Sequence, residues 1–467
     1  VVWRVDEKDQ SAAQEKRFNT PRQASTMNAK LPTIPASRRI AVIGSGISGM
    51  TAAYSLSKDP VNEVHVYEAG TRLGGHTATI DVRHDGEQLA IDTGFIVFND
   101  RTYPHFIALL DELGIASKAT PMSFSVSDAV SGIEYAGSNL NSLFAQRRNL
   151  FSPRFLRMVR DILRFNKEVE THLQANPALG AETLGAYLKR FGYSREFIAW
   201  YLLPMGAAIW SSDQVTMEAF PLEFFVRFFR NHGLLDLHNR PQWRVIEGGS
   251  RTYIEPLMAS CRERIYLDTP VKTVTRRVWV RGKPQVCLSS ARGNEFFDEV
   301  VFACHSDQAL RLLADPTPAE RQILGAIPYM RNEVALHHDH SLLPHLRRTW
   351  SSWNVSLGRS DAALPALTYN MNILQGLQSR HTWCVTLNQT HLVAPDKIVG
   401  IYHYDHPLFT LEGIAAQQRH AEISGLAGTW YCGAWWRNGF HEDGVFSALR
   451  VAEALAAQPV PALALVG

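Results

Sequence analysis

Residues 40–49 read Ile40, Ala41, Val42, Ile43, Gly44, Ser45, Gly46, Ile47, Ser48 and Gly49, and this stretch decides the fold. Four apolar residues predict a buried strand, and glycines spaced as G-x-G-x-x-G predict a tight turn into a helix. Gly44 permits the turn. Gly46 lets a pyrophosphate approach the backbone, Gly49 lets the helix lie close to the strand, and the helix N-terminus faces the phosphate charge. Residues 63–68 read as a second strand ending at Glu68, nineteen positions past Gly49. A carboxylate there accepts hydrogen bonds from both ribose hydroxyls of an adenosine.

Arg72, Leu73, Gly74 and Gly75 follow directly, and His76 comes next. Two adjacent glycines let another backbone segment touch the cofactor, an addition that nicotinamide dehydrogenases generally lack, so the reading is FAD rather than NAD. The predicted fold class is α/β, with a Rossmann-type FAD-binding domain.

The 467 residues allow two or three domains, and 45% hydrophobic with 20% charged content suits a soluble globular enzyme. A formal charge of +2 gives no reason to expect nucleic acid as a partner. Cys261, Cys287, Cys304, Cys384 and Cys432 are scattered, without metal spacing. Buried reduced thiols, a cytoplasmic compartment and no metal are therefore expected. Residues 1–36 are polar, lack an apolar signal core and carry Pro21, Pro32 and Pro35, so they read as a mobile leader, with Met27 a candidate start. No run of eighteen apolar residues predicts a membrane span. Peripheral membrane contact stays open, as does a homodimer.

Residues 77–82 and 88–92 read as strands about a hairpin turn at Asp85 and Gly86. Gly94, after Asp92 and Thr93 and before Phe95, has room for a flavin ring or is a simple bulge. Residues 103–242 take long helical periods rich in aromatics. Within them residues 151–164 form an amphipathic helix bearing Arg154, Arg157, Arg160 and Arg164, which either covers the core or rests on anionic lipid. Phe220, Phe224, Phe225, Phe228 and Phe229 make a second apolar concentration, as packing or as the wall of a lipid tunnel. Residues 243–249 read as a strand and glycine turn, with Ser250 as a helix cap. Strands are expected at 271–274, 278–280, 286–289, 300–303, 333–337, 382–387 and 398–402, and a strand and helix over 429–455.

Residues 39–68, 73–75, 245–249 and 431–455 together resemble the amine-oxidase-like FAD flavoproteins, a superfamily that includes monoamine oxidases, phytoene desaturases and protoporphyrinogen oxidases. The chain is most similar to flavoproteins known only as predicted NAD/FAD-binding proteins, and to the oxidase-like domain fused ahead of plant cyclopropane-fatty-acid synthases. The signatures are residues 92–100 with Tyr103 and Pro104, then Arg331, Asn332, Glu333, Leu336 and His337, then residues 350–354 and 439–444. The resemblance implies an FAD-binding domain from residues 37–104, 243–310 and 418–458, and a mixed α+β substrate domain from 105–242 and 311–417. It implies FAD contacts from Gly44, Ser45, Gly46, Ile47, Ser48, Gly49, Glu68, Ala69, Arg72, Gly74, Gly75, His76, Thr93, Gly94, Phe95, Val271 and Gly433. Asp443, Gly444 and Val445, at a helix start, would turn backbone N–H groups toward the flavin.

Two positions depart from the family's pattern. Ala434 stands where amine oxidases carry an acid after the glycine matching Gly433. The strand after Pro328 offers Glu333, His337 and His338, but not the lysine that amine oxidases bridge through water to the flavin.

Hydride transfer to flavin N5 needs a substrate C–H held about 3–3.5 Å away, so the protein's work is positioning, exclusion of water and proton management. His441 is the candidate for moving a proton near neutral pH, and Glu442 for acting as base. His76 and Tyr103 are the further catalytic candidates. The expected function is FAD-dependent desaturation or double-bond isomerisation of a lipid or fatty-acyl substrate. The alternatives are an amine oxidase releasing hydrogen peroxide, and a catalytically silent flavoprotein escorting a lipid methyltransferase.

Overall fold

Ile40, Ala41 and Val42 are wholly buried, because the strand Arg38–Ile43 is the middle of a five-stranded parallel sheet. The order is Ile265–Tyr266, Asn62–Tyr67, Arg38–Ile43, Glu299–Phe302 and Thr429–Tyr431. Strands covered on both faces read as continuous apolar runs, as 40–43 and 300–302 do. The computed structural model describes residues 37–458 apart from 211–213, 237, 239, 281 and 359–365, so the expected leader lies outside the described residues.

The helix Ile47–Ser57 leaves the first strand through the glycine turn and packs on the helix His441–Ala456. Asp85 and Gly86, at φ 46° and 78°, form the expected turn between the strands Thr79–His84 and Glu87–Asp92. A second, seven-stranded sheet runs Ile398–Pro407, Tyr329–His337, Cys384–Leu387, Ala366–Asn370, Trp353–Leu357, Phe124–Asp128 and Ile133–Ala136. It is antiparallel except where Trp353–Leu357 meets Phe124–Asp128. Helices of residues 153–231 pack into an aromatic core of their own.

Several sequence expectations are corrected. Residues 117–136 contribute three strands inside a region read as helical: Ser117–Ala119, Phe124–Asp128 and Ile133–Ala136. The two strands expected at 271–280 are one, Thr273–Val280, with a bulge between Thr275 and Val278 and Arg277 at φ 56°. Ser250 caps no helix. Its N–H and hydroxyl donate to Asp92 Oδ1, at 2.9 and 2.8 Å. Asp92 also accepts from Thr79 (2.5 Å) and Gln375 (3.0 Å), so one buried carboxylate ties the hairpin to two loops.

All five cysteines are free thiols. Among the described residues no helix is long and apolar enough to cross a membrane. The helix Pro153–Ala175 buries Phe155, Met158, Phe165 and Val169, and its arginines pair with Glu196, Asp161 and Glu168.

Candidate cofactor and substrate site

The first glycine cluster divides its work as its spacing requires. Gly44, at φ 101°, has no room for a side chain, since a Cβ would stand 2.9 Å from the Ala303 carbonyl oxygen. At Gly49 a Cβ would lie 1.9 Å from the Gly44 oxygen, so glycine alone lets helix and turn touch. Gly46 is different: a Cβ there meets nothing within 4 Å, and its backbone (φ −64°, ψ 177°) suits any residue. Its missing side chain leaves open space in front of the helix Ile47–Ser57. That helix start has no side-chain cap and no acid in its first turn, so its free N–H groups and positive dipole end face the space.

The second cluster packs on the first. Gly74 N–H donates to the Ser45 carbonyl at 3.0 Å, and a Cβ on Gly75 would reach 3.2 Å from Gly46 Cα. Arg72 is exposed and does not line the cavity; its guanidinium donates to the carbonyls of Leu73, Gly75 and Thr77 and so braces this loop. Gly94 serves close packing too, because a Cβ would lie 2.1 Å from the His76 oxygen. Glu68 sits opposite, accepting from Ser45 N–H (2.9 Å), Ser45 Oγ (2.5 Å) and Gly70 N–H (2.7 Å). Oε2 takes both Ser45 bonds and Oε1 only the Gly70 bond, so Oε1 keeps an open acceptor site for a ribose hydroxyl.

These groups face one cavity of about 1300 Å³. Gly44, Ser45, Gly46, Ile47, Ser48, Glu68, Ala69, Gly75, His76, Thr93, Gly94, Phe95, Val271 and Gly433 all line it, as do Tyr103, Ala434 and His441. Val271 lies two residues beyond Thr269, whose N–H donates to the Glu68 carbonyl at 2.9 Å. Pockets that hold one drug-sized ligand measure about 300–1000 Å³, so this volume holds a dinucleotide with space left over. The open face of Gly46, the uncapped helix start and the carboxylate of Glu68 fit FAD.

Gly49, Gly74, Glu442, Asp443, Gly444 and Val445 lie behind the lining rather than in it. Glu442 is corrected as a base: its carboxylate accepts from the N–H of Phe106 (2.9 Å) and from the His105 ring (2.6 Å), capping the helix Pro104–Glu112. Asp443 accepts from Phe440 N–H at 3.0 Å. Gly444 presses on the first turn of Ile47–Ser57, where a Cβ would come 2.8 Å from Ile47 Cγ2, and Val445 is wholly buried.

His441 stacks on Phe95 with centroids 3.5 Å apart, and its Nε2 lies 3.1 Å from Tyr253 Oη and 3.2 Å from Thr77 Oγ1. Burial pushes it down to about 3, and it sits on the cavity wall within hydrogen-bond reach of Tyr253 and Thr77. His76 is held well below the usual range, first by burial and then by its neighbour His406. Tyr103 has a raised pKa, from burial and then from Asp443 and Glu442, and stays a protonated donor.

Sequence reading missed His305, Tyr404, Asp405 and His406, which also line the cavity. His406 is pushed down to about 4 by burial, His305 stacks on Tyr329 at 4.4 Å, and Tyr404 Oη lies 2.9 Å from Thr93 Oγ1. The alternation of the strand Ile398–Pro407 was the available signal, but its pairing partner was not. Among the described residues no lysine lines the cavity. Of the residue 220–229 aromatics only Phe228 lines it, the others being core.

These buried histidines predict acid sensitivity. His441 (about 3), and His232, His337 and His406 (about 4 each), all sit below the ordinary 6.5. The stability they give is present above 6.5 and lost as pH falls toward their folded values, about 2 kcal/mol each between pH 7 and 5. Asp92 and Asp443, raised by burial to about 6, act oppositely over that range, by about 1 kcal/mol each. The histidines prevail. The thermal midpoint, followed by circular dichroism, should fall from pH 7 to pH 5.

The sequence model for flavin-containing amine oxidoreductases matches residues 47–337. No curated protein matches the chain by sequence. Among solved structures, a putrescine oxidase bound to putrescine is 15% identical, over 90% of this chain and 99% of that one, with a TM-score of 0.63. Cyclohexylamine oxidase from Brevibacterium oxydans IH-35A is 17% identical, over 90% and 100%, with a TM-score of 0.59. A CLA-producing fatty acid isomerase from P. acnes is 13% identical, over 91% and 99%, with a TM-score of 0.61. At these identities the likeness is one of fold: an α/β, amine-oxidase-like FAD-binding architecture.

Proposed function

The chain belongs to the flavin-containing amine oxidoreductase family, and from that premise we propose that it desaturates or isomerises a fatty-acyl or similarly elongated apolar substrate. It is an FAD-dependent oxidoreductase; FAD, when bound, supplies the two-electron acceptor. We assign the cofactor to Gly44, Gly46, Glu68, Gly75, Thr93, Val271 and Gly433 together with the start of the helix Ile47–Ser57. The division into FAD-binding segments 37–104, 243–310 and 418–458, and substrate segments 105–242 and 311–417, is part of the same proposal.

The observation that carries the substrate class is the apolar share of the cavity wall. Besides the glycine cradle, the cavity is lined by Leu143, Val159, Ile162, Tyr201, Met205, Ile209, Trp210, Phe228 and Leu234, side chains from the helices and their loops. Leu140 and Leu163 line it too and are 74% and 48% exposed, which marks a mouth with apolar lips. An acyl chain gains about 0.8 kcal/mol for each CH₂ buried along such a wall. Arg240, also on the lining, offers a cation to a carboxylate head. Desaturation sends a hydride to FAD and a proton to a base, and the imidazoles of His76, His406 and His441 are the lining groups we assign to take that proton, whereas isomerisation returns the hydride to the substrate. The apolar lips beside the arginine-bearing helix suit uptake from a lipid surface.

The test pairs two assays on the FAD-loaded protein. Free unsaturated fatty acids and acyl lipids are incubated anaerobically and aerobically and their double bonds mapped by mass spectrometry; a panel of mono- and diamines is screened for hydrogen peroxide. Acyl conversion without peroxide from amines is expected. Peroxide from amines with unchanged acyl chains would replace this reading by amine oxidation. A flavin that, after photoreduction, neither gives nor takes electrons with any substrate would favour the silent escort.

A further inference from the structure

Away from the cavity, three histidines from three distant parts of the chain converge. His84 ends the strand Thr79–His84, His338 follows the strand Tyr329–His337, and His381 lies in the loop before Cys384–Leu387. One ring nitrogen from each lies within 4.8 Å of the others. Ring centroids are 4.6 Å apart for His84 and His338, and 4.7 Å for His84 and His381, and all three pack against Trp383. A carboxylate lies at the edge of the group, beside two of the three rings: Asp85 Oδ2 is 3.0 Å from His381 Nε2 and 3.8 Å from His84 Nε2.

We propose that His84, His338, His381 and Asp85 bind a divalent ion of the zinc class and so fasten the hairpin tip to the larger sheet. Three imidazoles and a carboxylate are a borderline donor set that suits zinc. On a tetrahedral ion with bonds of about 2.0–2.1 Å, ligand atoms stand about 3.3–3.4 Å apart, and the two carboxylate-to-nitrogen distances bracket that value. Four protein ligands close the coordination sphere, which makes the site structural rather than catalytic. The ligands are largely positioned beforehand. Arg380 donates to the Asp85 carbonyl at 2.6 Å and to Glu87 at 3.2 Å, and Ser379 donates to Glu87, so the loop is already pinned to the hairpin. The ion takes the place of the hydrogen bond between His381 and Asp85, and since it binds only neutral imidazole its affinity falls as pH falls.

The test uses tag-free, FAD-loaded full-length protein, stripped with chelator and dialysed. Titration with Zn²⁺ by calorimetry should show one equivalent bound, more weakly at about pH 5.5 than at about pH 7.5, and Co²⁺ should give the visible bands of a tetrahedral site. His338→Ala and His381→Ala should abolish both signals, Asp85→Asn should weaken Zn²⁺ by about 10–100-fold, and His391→Ala, a surface control, should change neither. Each variant's thermal midpoint without metal reports whether it has folded. Zn²⁺ should raise the midpoint of the parent and leave that of folded His381→Ala unmoved. Absence of stoichiometric binding by the parent, or binding undiminished in folded His338→Ala and His381→Ala, would overturn the proposal. Flavin content and turnover are not read, so failure here leaves the proposed function untouched.

Discussion

Gly46→Val is expected to give a folded but colourless protein. Nothing lies within 4 Å of the added Cβ, and the backbone at φ −64° and ψ 177° accepts valine, so the fold loses no more than about 1 kcal/mol for the poorer helix cap. The branched side chain instead fills the space that a pyrophosphate takes at the start of the helix Ile47–Ser57. FAD affinity should fall at least about 100-fold, or ~2.7 kcal/mol. Gly49→Ala provides the contrast. Its Cβ would lie 1.9 Å from a backbone oxygen, so helix and strand must part and folded protein should be lost. Circular dichroism and flavin absorbance of both variants check the pair. If Gly46→Val keeps its yellow colour, or unfolds as Gly49→Ala does, the cradle is misassigned.

Arg276→Ala should be the most damaging single change away from the cavity. Arg276 is 7% exposed and lies at the bulge of the strand Thr273–Val280. Its guanidinium holds Glu320 through two bonds of 2.7 and 3.1 Å, and donates to the Asp315 carbonyl at 2.6 Å. Glu320 in turn accepts from Thr317 N–H and from Tyr431 Oη, both at 2.7 Å. One buried ion pair therefore joins the strand Thr273–Val280, the helix Pro318–Gly325 and the last strand of the parallel sheet. Removing the cation strands a buried carboxylate and should cost about 3–5 kcal/mol, a large part of a typical ~5–15 kcal/mol. Arg276→Lys should recover only part, because an ammonium cannot make the paired contact. Urea unfolding measures both. A cost under about 1 kcal/mol for Arg276→Ala would contradict the role.

The cofactor cradle was legible because it is local. The turn, the helix and the carboxylate at 68 follow one another within thirty residues, and each glycine's steric duty is set by its immediate neighbours. Arg276 was not legible. A charged residue between apolar runs reads as a break, and only the bulge with Arg277 at positive φ turns it inward. The same holds for His406 and Tyr404, which reach the cavity through the pairing of Ile398–Pro407 with Tyr329–His337. The strands within residues 117–136 are short and rich in serine, and two of them are held by strands far along the chain, Trp243–Ile246 and Trp353–Leu357. Glu442 and His441 were found, but the sequence did not show that Glu442 turns its carboxylate to the helix Pro104–Glu112 while His441 alone of the two reaches the cavity. Sequence shows a titratable group beside the turn, whereas only the fold shows what that group is bonded to. The histidines at 84, 338 and 381 share no spacing, so only the fold brings them together.

The most direct test of the central claim is the flavin content of the purified full-length chain, by absorbance and native mass spectrometry, compared with Glu68→Ala. The parent should carry one FAD per chain, and Glu68→Ala should lose most of it while keeping its fold. A parent chain that is colourless and takes up no added FAD, or a Glu68→Ala variant that holds FAD as tightly as the parent, would contradict the account.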